Sequence, residues 1–99
     1  MTTTTNTTNN YELTILVDEI APQEVIDGLT EKIKGYSKIT DIEDDGVKRL
    51  AYPIQRVRLH KKARYLFYEL ELEDDAPAKL SSDLNLDDNV VRYLLVRTA

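Results

Sequence analysis

The sequence predicts an α+β domain with the element order β-α-β-β-α-β. Three observations point there. Apolar residues alternate with period two from Tyr11 to Asp18 and again from Ala63 to Glu73. Two short apolar stripes with a spacing of four each follow a proline, Pro22 and Pro77. A chain of 99 residues that is 41% apolar has room for one domain with a modest core.

Met1 to Asn10 holds one Met, six Thr and three Asn, without charge or core periodicity. It is expected to be a disordered, low-complexity tail, 1–10, ahead of a single domain over 11–99. In the first strand Tyr11, Leu13, Ile15 and Val17 share one face; Glu12, Thr14, Leu16 and Asp18 share the other. Leu16 on that second face suggests a central strand. Pro22 suits the first turn of a helix, and Gln23 and Glu24 suit its positive end. Val25, Leu29 and Ile33, with Ile26 beside them, form its stripe, and Gly35 is a natural stop. Lys38 to Ile54 reads as a second strand, bulged or kinked at Gly46, with Pro53 indicating an edge or an end. Gln55 to Lys62 is expected to be a polar, basic connector. In the third strand Leu66, Tyr68, Leu70 and Leu72 face one way; Tyr65, Phe67, Glu69 and Glu71 face the other. Asp74 and Asp75 can cap a second helix striped by Leu80 and Leu84. Asn85 to Asn89 turns the chain into a last strand, Val90 to Arg97. Two such βα units make a ferredoxin-like βαββαβ domain, a four-stranded antiparallel sheet with both helices on one face.

The formal net charge is −5 and there is no cysteine. Disulfides, thiolate zinc sites and thiol nucleophiles are excluded, and His60 alone is a poor basis for a metal site. No cofactor is expected. Nothing approaches the roughly 18 apolar residues of a membrane helix, and the start does not read as a signal peptide. No membrane association and a cytoplasmic location are therefore expected. The acidic balance argues on its face against nucleic acid, but the charges are segregated. No acid occurs from Gly46 to Tyr68, a stretch holding Lys48, Arg49, Arg56, Arg58, Lys61, Lys62 and Arg64. Those are seven of the thirteen basic residues, with Arg92 and Arg97 on the last strand. Screening confines each charge to roughly 8–10 Å, so a local basic stripe can hold phosphate whatever the overall sign. A solvated hairpin with cations guarding a sheet edge would read the same way. If the leucines of the third strand meet the helices, Tyr65 and Phe67 lie on the open sheet face. There they could stack bases or cover a partner; ordinary strand composition is the plainer account.

Catalysis finds little support. The pairs Asp44/Asp45, Asp74/Asp75 and Asp87/Asp88 fall in expected turns, with no nucleophile or phosphate loop near them. His60, among Lys and Arg in the connector, is expected to be exposed. No enzyme is expected.

The segment Lys48-Arg49-Leu50-Ala51-Tyr52-Pro53-Ile54 behind Gly46, the segment Leu86-Asp87-Asp88-Asn89-Val90-Val91-Arg92, and the start Tyr11-Glu12-Leu13 occur in the order and spacing of a known family. Over about residues 11–98 the chain resembles bacterial small-subunit ribosomal protein six. The resemblance implies the same ferredoxin-like fold and a structural role in the small ribosomal subunit. It also implies binding to the central domain of the small-subunit rRNA, together with small-subunit ribosomal protein eighteen, by a protein that is monomeric when free of the ribosome. By matching motif it makes Lys48 and Arg49 rRNA-contacting residues, with Arg92 an additional one. Arg56, Arg58, Lys61 and Lys62 join them on charge alone. Asn9 and Asn10 stand where members often carry basic residues, and the chain ends at Ala99. The first departure removes the support for an rRNA contact from the N-terminus, and after the second no tail-mediated contact and no modified tail are expected. Two other readings share the strand order. An RRM-like RNA-binding module needs glycines that Arg64-Tyr65-Leu66-Phe67 lacks. A ferredoxin-like small-ligand regulatory domain needs convergent polar groups that the sequence does not show.

Overall fold

A computed structural model of the chain describes residues 8–56 and 58–98. The elements are β1 (Thr8–Asp18), α1 (Gln23–Lys34), β2 (Ser37–Arg56), β3 (Arg58–Glu73), α2 (Ala76–Leu86) and β4 (Val90–Arg97). The sheet is antiparallel with order β2-β3-β1-β4, which leaves β2 and β4 as its edges. This is the ferredoxin-like arrangement expected from the two βα units.

The period-two strands bury the face their spacing marked. Leu13, Ile15 and Val17 from β1 meet Leu66, Tyr68, Leu70 and Leu72 from β3. Ile26, Leu29 and Ile33 of α1 and Ala76, Leu80 and Leu84 of α2 cover them. Tyr68 is the one phenol fully inside, and its hydroxyl lies 3.0 Å from Thr30 Oγ1, so the polar end is satisfied. Burial raises the Tyr68 hydroxyl above the ordinary phenol range, although the Thr30 bond acts the other way.

α1 starts after Pro22, carries Glu24 in its first turn and Lys32 and Lys34 in its last, and ends at Gly35. α2 starts after Asp75, but the Asp75 carboxylate makes no cap bond and instead pairs with Lys79 at 3.3 Å. In β2, Gly46 has φ +77°, a left-handed conformation that glycine adopts without a Cβ penalty. Its N–H donates to Asp44 Oδ1 at 2.9 Å, which closes the kink.

Three expectations need correction. Thr8, Asn9 and Asn10 do not belong to a tail: they extend β1 and pair with Glu73, Leu72 and Glu71. The β3 ladder offsets the ordering entropy that the composition alone could not. Residues 1–7 lie outside the described residues. The basic connector is mostly strand: Ile54 pairs with His60, Gln55 with Leu59 and Arg56 with Arg58. An antiparallel ladder satisfies backbone donors and acceptors that a loop would leave to water. His60 is consequently not exposed. It is 2% accessible, with Nε2 2.9 Å from the carbonyl oxygen of Arg56.

Candidate nucleic-acid interface

Residues directly opposite each other in neighbouring strands share a sheet face. Tyr65 pairs with Gly46 of β2 and Leu16 of β1, and Leu16 pairs with Arg92 of β4. Lys48 pairs with Ala63, two residues before Tyr65. Phe67 pairs with Glu43 and Thr14, and Thr14 with Leu94. All of these stand on the face away from the helices. Lys48, Tyr65, Phe67 and Arg92, which lie far apart in the chain, therefore meet on one open surface.

Within that surface the Tyr65 and Phe67 rings are tilted, with centroids 6.4 Å apart. The Lys48 ammonium sits 5.5 Å from the Tyr65 centroid and 3.1 Å from Asp45 Oδ2. Between Arg49 and Ile54 the ladder breaks, and Leu50 to Pro53 swing out as an excursion opposite Lys61. That excursion and Leu16, Tyr65 and Arg92 line a groove of about 250 Å³. Leu50 is buried there, while Tyr52 is 82% exposed at the rim. A groove with a cation, two phenol rings and an apolar floor can hold a phosphate and stack a base.

The other expected cations sit differently. Strand alternation sends Arg49 and its partner Lys62 to the opposite side of the hairpin, both exposed. Lys61 is exposed as well. Arg56 is half-buried, and its Nη2 donates to the carbonyl oxygens of Asn85 (2.7 Å) and Asp87 (3.2 Å). Arg58 Nη2 donates to Asp18 Oδ1 at 2.5 Å. Burial disfavours the ionised Asp18 carboxyl, but the Ile20 N–H and Arg58 outweigh it and hold the group below its ordinary range. Arg64 turns to the helix side and engages Asp44 through Nε and Nη2. That bond lowers the Asp44 carboxyl and raises Arg64. These tethers escaped the sequence reading because their partners lie 20 to 40 positions away.

Away from the groove the same face turns acidic. Asp41 pairs with Glu69 and Glu69 with Glu12, whose other partner is Val96. Leu94 and Val96 are exposed beside them. The crowding is visible at Glu43, whose carboxyl is raised by its hydrogen bond with Asp45 and the charge of the same residue. Among the described residues no cluster of three His, Cys, Asp or Glu could hold a metal ion, and no helix is long and apolar enough to cross a membrane.

Comparison with known proteins identifies the family and the fold. The model of the family described as Ribosomal protein S6 matches residues 10–97. The chain is 34% identical over 96 residues to Small ribosomal subunit protein bS6 of Geobacter sulfurreducens, covering 88% of this chain and 76% of that protein. It is 28% identical over 91 residues to the protein of the same name from Clostridioides difficile, covering 88% and 96%. The crystal structure of 30S ribosomal protein S6 from Thermotoga maritima superposes with a TM-score of 0.77 at 17% identity, over 93% of this chain and 89% of that one. At that identity the superposition speaks for the fold.

Proposed function

The chain belongs to the bacterial ribosomal protein S6 family, and from that premise we propose that it is a structural component of the small ribosomal subunit in the bacterial cytoplasm. It binds the central domain of the small-subunit rRNA there, together with small-subunit ribosomal protein eighteen. It has no catalytic role, uses no cofactor and is monomeric when free of the ribosome. The observation that carries this reading is the meeting of Lys48, Tyr65, Phe67 and Arg92 on one open sheet face. Lys48 and Arg92 neutralise phosphates beside the groove, and Tyr65 and Phe67 offer ring faces. Arg49, Lys61 and Lys62 extend the positive potential along the hairpin. Such contacts position the protein on folded RNA and read shape before sequence.

The acidic, apolar part of the same face suits a basic protein with exposed apolar side chains. Glu12, Glu69 and Asp41 run in one row across the sheet from Val96, and Glu43 ends the row that starts at Leu94. A cationic partner relieves the crowding felt at Glu43. Small-subunit ribosomal protein eighteen is assigned to this half, and rRNA to the other.

The test is binding of a central-domain rRNA fragment with and without protein eighteen. Joint binding that exceeds either protein alone is expected, and Leu94→Asp abolishes the cooperativity. Independent binding of the two proteins, unaffected by that substitution, refutes the shared surface.

A further inference from the structure

We propose that Arg56 is a positioning residue, which latches the end of the β2–β3 hairpin to the C-terminus of α2 and contacts no phosphate itself. This rests on reading the open face as an rRNA surface. Arg56 Nη2 donates to two carbonyls, those of Asn85 and Asp87, where α2 runs out of internal donors. A guanidinium suits this negative end of the helix dipole. The side chain is half-buried, and its Nε is enclosed without a partner.

Two neighbouring contacts fix the same corner. The buried His60 ring lies 2.9 Å from the Arg56 carbonyl oxygen, across the end of the hairpin. Arg58 holds Asp18, whose N–H donates to the carbonyl of Asn89 at 3.0 Å. The corner thus joins the ends of β1 and α2 to the hairpin.

The latch matters to the groove because of the ladder break. In the β2–β3 ladder Leu50 to Pro53 have no partners of their own and are flanked by two pairs, Arg49 with Lys62 and Ile54 with His60, while the Leu50 side chain is buried. Freeing Arg56 loosens the second pair and, with it, the wall of residues 50–54 over Tyr65 and Arg92. A phosphate taking Arg56 would instead strip the Asn85 carbonyl of this donor and leave the Asp87 carbonyl with the Val90 N–H alone.

Two measurements on Arg56→Gln test this in the full chain. In the free protein, amide exchange at Arg58 to Lys62 is expected to quicken on the order of tenfold, with Leu13, Leu66 and Leu70 unchanged. Unaltered exchange at the hairpin refutes the latch, whatever the RNA does. With a central-domain rRNA fragment and protein eighteen, affinity is expected to fall while the slope of log K against log salt stays at the wild-type value. A slope shallower by about 0.7–0.9 makes Arg56 a phosphate contact and overturns the proposal. Unchanged affinity despite a loosened hairpin overturns the positioning role. Failure of the wild-type chain to bind the fragment removes the rRNA reading instead, while the exchange result still decides the latch.

Discussion

Replacing Lys48 with Gln removes one cation from the open face and little else. Lys48 is exposed, its pair with Asp45 spans half-exposed side chains, and its ammonium lies over the outer side of Tyr65. An exposed pair contributes about 0–1 kcal/mol and an exposed cation–π contact about 0.5–1 kcal/mol. The fold should therefore lose about 1 kcal/mol, a shift in Tm of about 4–8 °C for a domain of this size. The effect on RNA is of another kind. One lost phosphate contact releases about 0.7–0.9 fewer counterions, which at 0.1 M salt weakens binding about five- to eightfold relative to 1 M salt. The assay is filter binding of a central-domain rRNA fragment, with protein eighteen present, over a salt series at 25 °C. The variant's line of log K against log salt should be shallower than wild type by about 0.7–0.9. Lys34→Gln, on the helix side of the molecule, should leave the slope alone. Parallel lines for Lys48→Gln and wild type refute the assignment of Lys48 to a phosphate.

Leu66→Ala empties a site 1% exposed between β1 and α1 and should cost about 2–5 kcal/mol in urea unfolding; a loss below about 1 kcal/mol contradicts the core assignment. Asp44 and Asp18 have carboxyls held below their ordinary values in the fold. Their stabilisation is therefore present above the unfolded value near 4 and is lost as pH falls through the lower folded values. Urea midpoints should drop on acidification below pH about 4, and Asp44→Asn should be less stable at neutral pH yet lose less on acidification. An equally steep acid fall in that variant contradicts the Arg64 pairing. Deleting residues 1–10 should lower Tm by several degrees relative to deleting 1–7, because Thr8 to Asn10 pair with β3 and bond Arg97 and Thr98; equal Tm values contradict that pairing.

How far the site was legible from the sequence depends on how far apart its parts lie. Alternation by itself put Tyr65 and Phe67 on the face opposite Leu66 and Tyr68, because successive strand residues point to opposite sides. It could not bring Lys48 or Arg92 to them. That required the kink at Gly46, which shifts the β2 register, and the pairing of Leu16 with both Tyr65 and Arg92. His60 looked exposed because its chain neighbours are Lys and Arg, and its burial comes from a hairpin whose pairing no local spacing encodes. Arg56 and Arg58 looked like free cations for the same reason. Thr8 to Asn10 looked like tail because their own composition offers no core, and their ladder comes from pairing with the distant strand β3.

The net charge of −5 shows the same division. The order of elements, the buried faces of β1 and β3, the helix stripes and the family signature are local patterns, and the sequence by itself determined them. Register, and therefore which cations share a face with the rings and which are tied to carbonyls or carboxylates, was decided only by the tertiary structure. Those contacts join residues 20 to 40 positions apart, and their partners are selected by backbone pairing and packing, which act on distance in space and not along the chain.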